Sequence, residues 1–424
     1  MRVLIVNTSE RAGGAAVAAN RLMEALTNNG VKVKMLVRDR QGDSISVVSL
    51  PRSPLLRWHF LWERLIIFLY SHFSRKHLFD IDIACSGTDI TRLPEFREAD
   101  VIHLHWVNQG MLSLGDIRRI LQSGKPVVWT MHDIWPATSI CHLTLGCRSF
   151  ASHCHHCKYL PGGGGKGDLS AKVWRRKQKL LSGQTVSFVA CSRWLEGEAK
   201  ASALLRGQTI KSIPNPIDTR TFCPGSQTEA RQQEQLPQHK KLILFVCQRT
   251  TNPYKGMQYL IDACQQLAEQ YPEMRQETGI VLLGGHADEV AQELPFESFP
   301  IGYVSDEARI VRLYRAADLF VLPSLSENLP NTIMEALACG VPCVGFRVGG
   351  IPEMIDHQKN GYVAAYQNAG DLARGLRWTL YEADRQALAA AAVHKVAQNY
   401  SQSSVAVRYI EVYQHAIAQK HFKL

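Results

Sequence analysis

An α/β architecture of two successive doubly wound parallel-sheet domains is predicted by three observations. Short apolar runs alternate with segments of helical spacing from the first residues onward. The alternation pauses once, in a polar stretch near the middle of the chain, and then restarts. At 424 residues the chain also exceeds the size at which a single hydrophobic core stops growing.

The N-terminal half opens with Val3–Asn7 as a strand, Ala15–Asn28 with helical spacing and Val31–Val37 as the next strand. Further strands are expected at Val101–His105, Val127–Met131 and Val186–Ala190. Their nearly continuous apolar character suits a parallel sheet covered on both faces. From Asn215-Pro216-Ile217-Asp218 the chain turns polar, and Ile213–Lys240 reads as the linker and the entry to a second domain. The second series has strands at Leu242–Cys247, Ile280–Leu283, Ile301–Val304, Leu319–Pro323 and Cys343–Phe346. Helices are expected at Met257–Tyr271, Asp306–Ala316 and Asn331–Cys339. The domains are thus 1–213 and 214–402, with a last helix at about 403–424 crossing back onto the first.

Two such domains are expected to face a central cleft, with ligands at the carboxyl ends of the strands. His132, Arg249 and Glu327 each directly follow or lie just beyond a strand, so three strands deliver an ionisable group at that end.

Composition narrows the class. Hydrophobic residues make up 46% and charged residues 20%, which is that of an ordinary globular protein. The net charge of +10 suits an anionic partner such as a nucleotide diphosphate, a lipid phosphate or a membrane surface. The charge is dispersed, and without basic runs or DNA-binding patterns nucleic acid is not an expected partner. Met1 leads straight into Val3–Val6 with no cleavage site behind it, and no run of about 18 apolar residues occurs, so neither a signal peptide nor a membrane span is expected. Eleven cysteines without an export signal point to a reducing, cytoplasmic compartment.

The candidate chemistry lies mostly in the second half. Arg249 and Lys255 stand six residues apart before a helix, a suitable cradle for a diphosphate: the guanidinium forks two oxygens and the ammonium acts as a point charge. Downstream runs Ser326-Glu327-Asn328-Leu329-Pro330-Asn331-Thr332, with Glu335 following. Pro330 fits the first position of a helix, and N–H groups near Leu329, Asn331 and Thr332 would form an anion site. Glu327 and Glu335 can accept hydrogen bonds from sugar hydroxyls on either side of a phosphate. Spacing alone leaves it equally open that Glu335 is an exposed helix residue and Glu327 a cap.

The ordered set of Gly13-Gly14, Thr130-Met131-His132-Asp133, Asn215-Pro216-Ile217-Asp218, Arg249-x5-Lys255, Glu327-x7-Glu335 and Gly349-Gly350-Ile351-Pro352-Glu353 resembles the retaining GT-B glycosyltransferases of family 4. The resemblance runs from about residue 1 to 400. It implies an enzyme that moves a hexose, with retention, from a nucleotide-diphosphate sugar to a saccharide or lipid-linked acceptor. The first domain would bind acceptor and the second donor. Arg249 and Lys255 would hold the diphosphate, Glu327 the transferred sugar and Glu335 the ribose. Asn328, Leu329 and Asn331 would line the donor site, Gly13 and Gly14 would form a tight loop near phosphate or acceptor, and His132 would lie near the anomeric carbon. Gly302-Tyr303-Val304 resembles the family's base-binding turn. No cofactor is required for catalysis, because the two cations take the place of a divalent metal at the leaving group. The pathway so implied is cell-surface polysaccharide, capsule or lipopolysaccharide assembly at the inner face of the membrane.

Cys141, Cys147, Cys154 and Cys157 cluster just after His132-Asp133, interleaved with four histidines, and end in a C-x-x-C. Four thiols in so short a span suit a structural zinc ion; free thiols and reversible disulfides stay open. The cluster resembles an insert in a polysaccharide-assembling subset of the family.

Several features are expected to be bland. Pro161-Gly-Gly-Gly-Gly-Lys166 has glycine where a phosphate loop needs Ser or Thr, so it reads as a flexible loop. Asp39 ends the second strand, but no G-x-G-x-x-G precedes it, which argues against a dinucleotide enzyme. His103 and His105 read as satisfied strand-end histidines. Trp58–Tyr70, flanked by Arg52, Arg57, Arg75 and Lys76, has the amphipathic form of either a membrane-surface helix or a core-packed one. Two rival functions persist: a catalytically inactive sugar-binding relative, and a GT-B-like epimerase or phosphorylase.

Overall fold

The computed structural model describes residues 1–51 and 53–421, without the side chain of His421. Arg52 therefore lies outside the described residues, as do the last three positions of the expected C-terminal helix. The chain divides into two compact units, Met1–Pro216 joined by the chain from Val405 onward, and Ile217–Ser404.

The first unit holds seven strands: β1 (Arg2–Ser9), β2 (Lys32–Asp39), β3 (Val47–Ser49), β4 (Val101–Leu104), β5 (Val127–Met131), β6 (Ser187–Ala190) and β7 (Thr209–Ser212). They form one parallel sheet in the order β3-β2-β1-β4-β5-β6-β7. Strand alternation explains how both faces are covered. Val3 and Ile5 join a core with Val128, Val189 and the C-terminal helix Gln402–His421, whereas Leu4 and Val6 join the opposite core with Ile102, Leu104 and Trp129. Every one of these side chains is buried. The C-terminal helix belongs here because Val405, Tyr409, Val412 and Tyr413 complete the first of those two cores.

The second unit holds β8 (Lys241–Arg249), β9 (Thr278–Gly285), β10 (Glu297–Gly302), β11 (Leu319–Leu322), β12 (Cys343–Phe346) and β13 (Gly361–Ala364). Their order is β10-β9-β8-β11-β12-β13, again parallel throughout. Both sheets thus have the predicted α/β, Rossmann-like form.

The structure corrects several local expectations. The strand expected at Ile301–Val304 lies earlier, at Glu297–Gly302, where it pairs with β9. The expected linker contains a helix, Gln227–Gln233, inside the second unit. Buried Arg231 fixes it there, donating to the carbonyls of Ala316, Gln238 and Lys240 and pairing with Asp318 at 2.6 Å. Its polar sequence conceals this role, because a guanidinium can be buried when every donor finds an acceptor. Pro330 is the cap of the helix Asn331–Ala338 and not its first residue, with extended ψ of 119°.

Candidate functional site

In the second unit the loops after β8 and β11 meet. Lys255 lies in the short turn Pro253–Lys255 after β8, and Glu327 in the loop after β11. The Lys255 ammonium contacts Glu327 Oε1 at 2.5 Å, and the Ser324 hydroxyl donates to the same oxygen at 2.9 Å. Burial opposes the charge on Lys255, but the Glu327 carboxylate outweighs it and holds the ammonium pKa above its ordinary value. The pair is only partly exposed, at 29% for the lysine and 12% for the glutamate side chain.

Two glycines let the backbones come together. Gly256 has φ of 73°, and a Cβ there would stand 1.8 Å from the Pro323 carbonyl oxygen. Gly349 has φ of 54°, and its Cβ would stand 1.7 Å from the Glu327 carbonyl. Leu325 N–H donates to the Tyr254 carbonyl and Gly350 N–H to that of Asn328, each at 2.8 Å. The Lys255 turn and the Gly349-Gly350 turn therefore grip the Glu327 loop from two sides.

Glu335, on the helix Asn331–Ala338, is buried and not an exposed helix residue. Its Oε2 accepts from the Tyr314 hydroxyl at 2.9 Å, and burial together with this carboxylate drives the tyrosine pKa well up. Pro330 offers no side-chain cap to that helix, which begins at Asn331. Asn328 and Asn331 are half-buried beside it, while Leu329 is buried.

Arg249, exposed at the end of β8, meets a residue that sequence reasoning missed: its guanidinium lies 3.2 Å from His286 Nε2. His286 follows the Gly284-Gly285 end of β9 with a left-handed φ of 64°, and its Nδ1 lies 2.7 Å from Glu289. The glycine pair after an apolar run was the available signal.

In the first unit, Gly13 caps the helix Gly14–Asn28 with φ of 91°, in the loop that follows β1. His132 follows β5. Its Nε2 lies 2.8 Å from His105 Nδ1 and its Nδ1 lies 3.6 Å from Cys191 Sγ, so neither ring nitrogen stands clear of the fold. Burial pushes the His132 pKa down to about 4, so the ring is neutral at pH 7. His103 is satisfied as expected, by Thr130 and by Tyr413 of the C-terminal helix, each at 2.8 Å. His105 is less so, for its Nε2 is buried without a partner.

Asp133 departs from a simple motif residue. It accepts from the Trp106 indole at 2.9 Å and lies 2.7 Å from His142, whose other nitrogen lies 2.7 Å from Asp82. Burial disfavours the imidazolium, yet the two carboxylates prevail and raise the His142 pKa to about 10. This clamp ties the start of the cysteine-rich segment to the His132-Asp133 turn.

The four clustered cysteines share a neighbourhood without forming a ready ligand set. Burial, with a further contribution from the neighbouring thiols, pushes Cys154 and Cys157 up to about 12. Among the described residues no group of three His, Cys, Asp or Glu side chains is placed to hold a metal ion. The glycine-rich loop is pinned: the Asp168 carboxylate accepts from the N–H groups of Cys157, Gly165 and Ala171, filling the place an anion would take.

Two family models match the chain. Residues 12–221 match Glycosyltransferase Family 4, and residues 226–395 match Glycosyl transferases group 1. Between them they account for nearly all of both units. The chain belongs to the GT-B glycosyltransferases of this group 1 and family 4 type.

Among this glycosyltransferase's relatives is D-inositol 3-phosphate glycosyltransferase 2 of Catenulispora acidiphila, 30% identical over 49% of this chain and 51% of the relative. The chain thus spans about half the length of that protein. With the D-inositol 3-phosphate glycosyltransferase of Saccharomonospora viridis the match runs over 98% of this chain and 94% of the relative, at 25% identity. Two solved structures share the fold. Sucrose-phosphate synthase from Thermosynechococcus elongatus has a TM-score of 0.69 at 18% identity, covering 99% of both chains. Anabaena HepE in complex with UDP has a TM-score of 0.64 at 17% identity, covering 98% of this chain and 100% of the other.

Proposed function

We propose that the protein transfers a hexose from a nucleotide-diphosphate sugar to a saccharide or lipid-linked acceptor, with retention, in cell-surface polysaccharide assembly. The observation that carries this reading is the Lys255–Glu327 contact. A cation for the leaving diphosphate and a carboxylate for the sugar hydroxyls sit on one gripped pair of loops. The family membership supports the donor class, as does the UDP bound by the Anabaena relative.

The chemistry follows from charge. As the glycosidic bond loosens, negative charge grows on the departing diphosphate, and Lys255, Arg249 and the positive N-terminal end of the helix Asn331–Ala338 stabilise it. Glu327 orients the sugar, and donor binding breaks its ion pair with Lys255 so that each group turns to its own part of the donor. Buried Glu335, aligned by Tyr314, holds the ribose hydroxyls. Neutral His132, braced by His105, positions the acceptor side. Gly13 and Gly14 bring main-chain N–H groups to the acceptor.

The test is a thermal-shift screen with UDP-, GDP- and ADP-sugars, followed by NMR of the product's anomeric proton. One donor should raise the melting temperature, and the shift should vanish in Lys255→Ala. A donor shift retained in that variant, or an inverted product, contradicts the reading.

We also propose a structural zinc ion on Cys141, Cys147, Cys154 and Cys157, supported by four thiols in one short span ending in a C-x-x-C and by their shared neighbourhood. The ion would need all four thiols as thiolates and would pin the loop after Asp133. Metal analysis of reduced protein should find one zinc per chain, lost in Cys154→Ser/Cys157→Ser; zinc-free protein with an unchanged melt overturns it.

A further inference from the structure

The helix Leu55–Tyr70 is built inside out. Its inward face carries ionisable side chains. Glu63 is fully buried and accepts from the N–H groups of Ile83 and Ala84 at 2.9 and 2.6 Å. Arg64 is buried beside it, closing on Asp82 and donating to the Leu78 carbonyl at 2.5 Å. The outward face carries Leu55, Trp58, Leu61, Trp62, Leu65 and Leu69, all exposed, with Trp58 at 63% and Trp62 at 50%. At 3.6 residues per turn these six fall in one stripe opposite Glu63, Arg64 and Ile67. Just beyond the helix, Phe73 adopts a left-handed φ of 63° and stands 69% exposed. A stripe of this size on a folded surface marks a place where something docks.

Charge says what docks. Lys172, on the helix Leu169–Leu181, lies 3.3 Å from the Tyr70 hydroxyl, with its ammonium 5.0 Å from the centre of the ring. Lys172, Arg175, Arg176 and Lys179 are all exposed and spaced three or four apart, so they form a basic row that begins at the end of the apolar stripe. Arg57, Arg75 and Lys76 add exposed cations around it. The two helices contain a single acidic residue, Glu63, and it is buried. A second copy of the chain would bring another uncompensated basic row to the contact.

We propose that this face of the first unit docks on an anionic lipid bilayer surface. The apolar stripe enters the headgroup boundary with Trp58 and Trp62 at headgroup level, and the basic row lies on the lipid phosphates. The other helices need not insert, and no helix among the described residues is long and apolar enough to cross a membrane. This docking is independent of the transferase reading, because it requires neither donor nor turnover.

The experiment is flotation of the full chain with vesicles of phosphatidylcholine alone and of phosphatidylcholine with phosphatidylglycerol, without nucleotide. The anionic vesicles should carry the protein upward and shift its tryptophan fluorescence to the blue, and salt should weaken the effect. Trp58→Ser/Trp62→Ser and Lys172→Glu/Arg175→Glu/Arg176→Glu should each lower vesicle affinity at least about tenfold. All five positions are exposed, so circular-dichroism melts should match the wild type. Wild-type protein left behind by anionic vesicles overturns the proposal, as does binding unchanged in both variants. A dimer in sedimentation velocity that Trp58→Ser/Trp62→Ser dissociates assigns the face to a second copy and also overturns it.

Discussion

Lys255 and Glu327, 72 positions apart in sequence, form a 2.5 Å ion pair held by two backbone contacts that only glycine permits. In the proposed reading the pair keeps in a single place the two charges meant for the donor, each neutralising the other until a ligand arrives. Separate roles for the two residues make separate predictions.

Lys255→Met should weaken nucleoside diphosphate binding by at least about tenfold, equivalent to ~1.4 kcal/mol. Glu327→Gln should leave that binding within about twofold and lower turnover roughly a hundredfold, since its proposed role is on the sugar and not on the phosphates. Calorimetry with the free diphosphate beside a donor turnover assay separates the two. Equal losses of diphosphate affinity in both variants would show that the pair acts as one structural unit.

The same pair fixes an alkaline pH dependence. The folded-state pKa of Lys255 lies above its ordinary value of about 10.4, so its contribution is complete below that value and fades as pH rises through the higher folded one. The difference in melting temperature between wild type and Lys255→Met should hold steady at neutral pH and close only above about pH 10.4. A gap that closes between neutrality and that point contradicts the assignment.

Tyr314→Phe removes the donor to a buried carboxylate oxygen of Glu335. The expected cost is about 1–3 kcal/mol. Denaturant unfolding measures it. Weaker nucleotide binding should accompany the loss if Glu335 holds the ribose, whereas a purely structural Glu335 leaves affinity intact once the protein is folded.

Acid should unfold the first unit through its neutral histidines. Burial pushes the His103 pKa down to about 3, against about 6.5 in an unfolded chain. The unfolded state therefore takes up the proton first, and stability should fall as pH drops below about 6.5 towards 3. In His103→Gln the slope of stability against pH should be shallower by up to about one proton, ~1.4 kcal/mol per pH unit. An unchanged slope would mean that other groups carry the acid transition.

Much of this was legible in the chain. Val127–Met131 and Cys343–Phe346 appear as strands with the bounds expected, because buried parallel strands are continuous apolar runs between turn signals. β3 and β7 were not foreseen, being three and four residues long and without a strong apolar run. Lys255 stood out by its spacing from Arg249 before a helix and Glu327 by its place after a strand, but their contact did not. His142 gave no sign of its role, since its two carboxylates lie 9 and 60 positions away.

The sequence by itself determined the two sheets, their α/β class and the loops that carry the ionisable groups, because those depend on local periodicity and on where apolar runs end. Only the tertiary structure decided which charges meet. It buried Arg231 and Glu63, turned the apolar face of Leu55–Tyr70 outward, and set Glu335 against Tyr314. The physical reason is that burying a charge is settled by partners distant in sequence. A carboxylate or guanidinium enters a core only where the fold brings opposite charges and hydrogen-bonding groups to meet it.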